Sequence, residues 1–192
     1  MRLFVALPVS DKIRQNILSF IRELTIADSQ VRWLDPQNFH ITLKFIGRVS
    51  LESLSAIGGV LAKIRIEHPV QMEFRGMGFF PNALKPSVAW IGTEFSPNLP
   101  ALAAAINHAL SPLGIPREEK PFVPHLTIAR FKQTRPSPVL LTKIETLQVR
   151  RFGTLTASEF HLVESTLKST GAQYTTLGSF PFASDHHQGK DL

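Results

Sequence analysis

One short pattern occurs twice in this chain of 192 residues. His40-Ile41-Thr42-Leu43 recurs 85 positions later as His125-Leu126-Thr127-Ile128. Residues i and i+2 of a β-strand share a face. Each copy therefore reads as a strand that turns a histidine and a threonine to one side and two apolar residues into a core. Both copies have a proline four positions before the histidine, Pro36 and Pro121. Of the seven histidines, these two alone have threonine at i+2. The repeat, more than either copy, constrains the fold: the chain has to supply two like strands in two like contexts.

Periodicity extends the repeat. Arg2–Leu7 reads as a first strand, too short and too early for a signal peptide. Ser10 can cap a helix to about Leu24 with Ile13, Ile17, Phe20, Ile21 and Leu24 on one face. Phe39–Phe45 is the first motif strand. A second helix is expected from Ser50, with Leu51, Leu54, Ile57, Leu61 and Ile64 as its stripe. Val70–Phe79 and Ser87–Ile91 read as strands around a Pro81-Asn82 turn. Ser96-Pro97 opens a third helix with Leu99, Leu102, Ile106, Leu110 and Leu113 apolar. His125–Phe131 is the second motif strand. Ser137-Pro138 repeats the signal for a fourth helix, with Leu140, Leu141, Ile144 and Leu147. Thr154–Thr166 and Gln173–Phe180 read as a closing hairpin around Gly171. The order helix, motif strand, helix, strand, strand thus occurs twice. The expected fold is α+β: a two-lobed, pseudo-symmetric duplication, with antiparallel sheets lining a central groove and helices outside. Residues 1–183 form one bilobal domain and residues 184–192 a flexible tail.

Composition narrows the chemistry. The absence of cysteine excludes disulfides, thiolate nucleophiles and cysteine-based zinc sites. No apolar run is long enough to span a membrane, and a cytoplasmic enzyme is expected. The net charge of +6 favours an anionic partner such as RNA. The basic residues are dispersed, so a basic tail is not the binding device.

If the two motif strands meet, two imidazoles face one groove. With an ordinary value near 6.5, histidine can hold or release a proton at neutral pH. One imidazole can take a proton from an attacking water or hydroxyl while the other protonates the departing oxygen. Spacing alone leaves open which does which. Thr42 and Thr127 can donate to the non-bridging oxygens of a phosphate, where charge builds. No metal or other cofactor is required.

The stretches His40-Ile41-Thr42-Leu43-Lys44-Phe45-Ile46-Gly47 and Pro124-His125-Leu126-Thr127-Ile128-Ala129-Arg130 resemble the two signatures of the two-histidine (2H) phosphoesterases. Within that superfamily the chain is similar to the bacterial and archaeal RNA 2′,3′-cyclic phosphodiesterases, long called 2′-5′ RNA ligases. Its beginning, MRLFVALPVS, and its late segment, FHLVESTLKSTGAQYTTLGSFPF, share the likeness, which runs from about Met1 to Phe182. The resemblance implies hydrolysis of an RNA 2′,3′-cyclic phosphate end to a 2′-phosphate. It implies His40 as proton donor to the leaving 3′-oxygen, His125 as the proton acceptor that activates water, and Thr42 and Thr127 as phosphate holders. It also implies ATP-independent 2′-5′ joining of RNA ends; the sequence leaves the RNA itself open among tRNA halves, other cleaved RNA and oligonucleotide ends. A monomer suffices for all of this.

Four further residues are candidate substrate contacts. Lys44, at i+4 from His40, shares the motif face on a regular strand. Arg130, at i+5 from His125, lies off that face unless the strand twists or ends. Phe45 and Phe122 can stack a base, with core packing as their plainer role. His68, His108 and His161 lack the motif context and read as ordinary surface or core residues. Three other readings compete: a 2H enzyme for a small cyclic nucleotide or an ADP-ribose cyclic phosphate, a non-catalytic RNA-end binding module, and a metal hydrolase. Two intact His–Thr pairs disfavour the second. The lack of a carboxylate motif disfavours the third.

Overall fold

The computed structural model describes residues 1–25, 31–66, 68–131, 142, 150–169 and 171–182. Among them are nine strands and three α-helices. These are β1 (Arg2–Pro8), α1 (Asp11–Thr25), β2 (Val31–Trp33), β3 (His40–Arg48), α2 (Ser53–Leu61), β4 (Val70–Phe80), β5 (Val88–Phe95), α3 (Asn98–Leu110), β6 (His125–Phe131), β7 (Arg151–Ala157), β8 (Glu159–Lys168) and β9 (Gly171–Pro181). The strands form one antiparallel sheet in the order β7-β4-β5-β6-β3-β1-β8-β9, with β2 added to β6.

The duplication survives in this order. A shift of 85 residues carries β1 onto β5, α1 onto α3, β3 onto β6 and most of β4 onto β8. The lobes are nevertheless not the two halves of the chain. β4, from the first half, pairs with β5 and β7. β8, from the second half, pairs with β1. The first half thus lends β4 and β2 to the other lobe, and the second half lends β8 and β9. The stretch Thr154–Thr166, expected as one strand, is two. The chain leaves β7 at one end of the sheet, passes through Ser158 and enters β8 near the other end. A link of one residue requires the sheet to curl, and it forms a half-barrel.

One face of the sheet and the helices share the core. Leu3, Val5 and Leu7 of β1, Ile41 and Leu43 of β3, Ile91 of β5 and Leu126 and Ile128 of β6 are all buried in one cluster. Ile13, Ile17, Phe20, Ile21 and Leu24 of α1 join it, as their helical spacing predicts. Ser10 Oγ accepts from the backbone N–H of Ile13, the expected cap. The second helix starts two residues later than a Ser50 cap would place it, with Glu52 in the cap position. The Ser50 hydroxyl bonds to the Ser53 hydroxyl and not to a backbone N–H, and Leu51 stands exposed. The fourth-helix expectation around Leu140 and Ile144, and the tail, lie outside the described residues.

The other face is the groove face. On β1 it carries Phe4 and Ala6, which cluster with Val163 and Tyr174 apart from the main core. On β5 it carries Trp90, opposite Gly78 of β4. That glycine is required by packing: a Cβ there would lie 2.2 Å from the indole ring of Trp90. Gly78→Ala should therefore destabilise the fold by about 1–3 kcal/mol through overpacking. Urea unfolding followed by tryptophan fluorescence checks this, and a midpoint unchanged from wild type would contradict it.

Candidate active site

The two motif strands touch at one point. Among the described residues, β3 and β6 share a single register pair, Ile41 with Leu126, and both side chains are fully buried. Alternation then sends the residues on either side of that pair to the groove face. Continuing the antiparallel register by one step sets His40 across from Thr127 and Thr42 across from His125. The four motif side chains thus form one cluster, with each histidine facing the other strand's threonine.

Both imidazoles are oriented in the same way. His40 Nδ1 lies 2.7 Å from the carbonyl oxygen of Asn38, and His125 Nδ1 lies 2.8 Å from that of Val123. A carbonyl oxygen only accepts, so in each ring Nδ1 carries the hydrogen and donates it. In the neutral ring this leaves the Nε2 lone pair for the groove. His40 Nε2 also sits 3.1 Å from the Thr42 hydroxyl, which can donate to it.

The surroundings of the two rings differ. Burial pushes His40 below the ordinary histidine value, and the charge of His125 adds to that lowering. The hydrogen bond to Asn38 opposes both and does not overcome them.

A bulge recurs at the same place in both motif strands and decides what lies beyond the threonines. In β3, Thr42 and Lys44 face the consecutive residues Ala6 and Val5 of β1, so Leu43 is extra. In β6, Thr127 and Ala129 face Trp90 and Ala89, so Ile128 is extra. A bulge of one residue exchanges the faces of all that follows. The expectation that Lys44 shares the motif face is corrected accordingly. Lys44 turns to the core side, is 3% exposed, and its Nζ donates to the Pro116 carbonyl at 2.7 Å, with Glu118 at 3.4 Å. Phe45 takes the groove face instead, 61% exposed and 6.3 Å from Phe4 between ring centroids. The same shift brings Arg130 onto the groove face, exposed, where a regular strand would have turned it away. Phe122 packs on the core, its plainer role.

Other groove residues carry no sequence signal. Phe4 and Tyr174 lie 4.8 and 5.2 Å from the His40 ring, and Phe80 and Trp90 lie 4.9 and 6.2 Å from the His125 ring. His161 of β8 pairs in register with Ala6 on this face and bonds Glu159 at 2.9 Å. Alternation could have placed these residues on a face, but only the sheet order shows which ones surround each histidine. Among the described residues no cluster of three metal-ligating side chains occurs, and no helix is long and apolar enough to cross a membrane. A cavity of about 490 Å³ is lined by Gln71, Glu73, Glu94, Thr154 and neighbours on β4, β5 and β7, and neither motif contributes to it.

Comparison with known proteins agrees with this geometry. The LigT-like phosphoesterase family matches twice in tandem, over residues 7–90 and 91–174, one match for each motif. An RNA 2′,3′-cyclic phosphodiesterase of Archaeoglobus fulgidus is 36% identical over 180 residues, covering 94% of this chain and 99% of that protein. One from Methanothermobacter thermautotrophicus is 33% identical over 180 residues, covering 93% and 97%. A crystal structure from Thermus thermophilus superposes with a TM-score of 0.80 at 30% identity, covering 97% of this chain and all of that one. The fold, the duplicated motif and these matches together make the chain a member of the LigT-like phosphoesterase family.

Proposed function

We propose that this protein hydrolyses RNA ends bearing a 2′,3′-cyclic phosphate to 2′-phosphomonoesters, by acid–base catalysis between His40 and His125 without a metal ion. The observation that carries the proposal is the matched orientation of the imidazoles, each tied by Nδ1 to a carbonyl two residues earlier and free to turn Nε2 to the groove. The names of the relatives supply the substrate class.

The steps follow from that orientation. Neutral His125 Nε2 takes a proton from water. The water oxygen bonds to phosphorus, the bond from phosphorus to O3′ breaks, and Nε2–H of protonated His40 gives its proton to O3′. The products are a 2′-phosphate and a 3′-hydroxyl. Exchange of protons with solvent restores the pair. The lowered value of His40 in the free protein is compatible with a donor role, because a bound phosphate anion favours the charged ring. Thr42 and Thr127 donate to the non-bridging oxygens. Arg130, exposed on the same face, adds positive charge. Phe45 offers a ring for a base to stack on. When an RNA 5′-hydroxyl takes the place of water, the same groups serve 2′-5′ joining.

A short RNA ending in a 2′,3′-cyclic phosphate, assayed in EDTA, tests the reading. Wild type should convert it to the 2′-phosphate. His40→Ala and His125→Ala should each lose roughly 10²–10⁴-fold in rate. Full activity in either variant would overturn the two-histidine mechanism, and abolition by EDTA would overturn metal independence.

The pH dependence follows from the acid and base roles given to the two imidazoles. Only the singly protonated pair holds both an acid and a base. kcat/KM should fall on the acid side as a second proton binds, and on the alkaline side as the last one leaves. Because burial and the charge of His125 both lower His40, the limb that reports His40 should lie on the acid side of the ordinary histidine range. A profile flat from about pH 5 to 9 would contradict this.

Thr127→Val should lower kcat by about 10–10³-fold with circular dichroism unchanged, the upper end matching loss of a fully enclosed donor. An unchanged kcat would remove this hydroxyl from the phosphate site.

A further inference from the structure

The protein contains one tyrosine, and it stands beside His40. Tyr174 meets the imidazole edge-on, with centroids 5.2 Å apart and planes at 84°. Phe4 lies 4.8 Å from the same imidazole, and the two aromatic rings lie 5.1 Å apart. Three rings from β1, β3 and β9 thus close a triangle. His125 sits in a second triangle, made with Phe80 of β4 and Trp90 of β5, which are themselves 5.2 Å apart.

These triangles are not copies of each other. The 85-residue shift that superposes the motifs carries both Phe4 and Tyr174 onto Ala89, a core residue. It carries Phe80 onto Ser165 and Trp90 onto Thr175. The histidines superpose under that shift, and the rings that flank them do not. The same arrangement reached twice by different residues points to a demand of the site on each imidazole.

The demand is mechanical and electrostatic. His40 is held by one hydrogen bond at each ring nitrogen, and two such bonds along the ring edge leave it free to tilt about the line that joins them. Rings packed against it remove this freedom and hold Nε2 toward Thr42. They also cover part of His40, which is half-buried and has the Asn38 carbonyl and the Thr42 hydroxyl as polar partners. The Tyr174 hydroxyl takes no hydrogen bond among the described residues, so in this structure its ring makes the contact.

We propose that Tyr174 is a positioning residue for His40, acting with Phe4 through its ring to hold Nε2 toward the groove and to cover the imidazole. This rests on the catalytic reading of His40 given above.

The test compares Tyr174→Phe and Tyr174→Ala in two readouts: the His40 titration followed by imidazole NMR, and the kinetics on RNA 2′,3′-cyclic phosphate. Tyr174→Phe keeps the ring and should match wild type in both. Tyr174→Ala admits water and should move the His40 midpoint up toward the ordinary value. It should lower kcat by roughly 10–10²-fold through misplacement, with KM changed by less than about threefold. Tyr174→Leu keeps the bulk and replaces the alanine variant if that one unfolds, with the same expectation for kcat. An unmoved His40 midpoint together with unchanged kcat in Tyr174→Ala would overturn the proposal. So would a loss in Tyr174→Phe equal to that in Tyr174→Ala, which would assign the role to the hydroxyl. The NMR titration reads the ring contact even if the protein hydrolyses no cyclic phosphate, so failure of the catalytic reading and failure of this one are distinguishable.

Discussion

The site depends on one buried contact, the pairing of Ile41 with Leu126. It is the described register pair that joins the first motif strand to the second. Both side chains are fully enclosed, and burial of each contributes about 1.5–3 kcal/mol relative to exposure. The larger consequence is positional. Side chains alternate along a strand, so driving this pair into the core turns His40, Thr42, His125 and Thr127 out together on the other face. The hydrophobic effect that joins the lobes therefore also assembles the polar cluster. A slip of the junction by one residue would bury the histidines and expose the core.

The two bulges complete the groove by breaking the alternation on purpose. They lie at equivalent places, Leu43 and Ile128, one residue past each threonine. Beyond them the strands turn Phe45 and Arg130 outward and Lys44 inward. The groove is therefore symmetric at its centre and asymmetric at its ends, aromatic past one threonine and cationic past the other. The inward lysine stays tolerable because its ammonium finds the Pro116 carbonyl and Glu118; burial of an unpartnered charge would cost far more.

Much of this was legible in the residues. The spacing of two in His40–Thr42 and His125–Thr127 set each pair on one face. The five apolar positions of α1, at helical spacing, were all found buried. The 85-residue repeat foretold the order of the elements. Where the reading failed, the causes were of two kinds. Lys44 changed face because of a bulge, which arises from pairing with a neighbouring strand and leaves no mark in local composition; the matching bulge is what brings the candidate Arg130 to the groove. Thr154–Thr166 read as one strand because both of its parts are extended; the break at Ser158 exists only because β7 and β8 bind opposite ends of a curled sheet. Leu51 fell off the second helix for a local reason, since Ser50 bonded a hydroxyl in place of the backbone.

Residue identity and spacing determined the chemistry available: two imidazoles, two hydroxyls, an apolar stripe beneath each pair and no thiol. These are local properties, written in the order of side chains along each strand. The tertiary structure decided which groups meet. The crossing of β3 and β6, the exchange of β4 and β8 between lobes, and the triangles of Phe4 with Tyr174 and Phe80 with Trp90 are contacts between segments far apart in the chain. Their register is set by how several buried faces fit at once, and no single stretch of sequence carries that information.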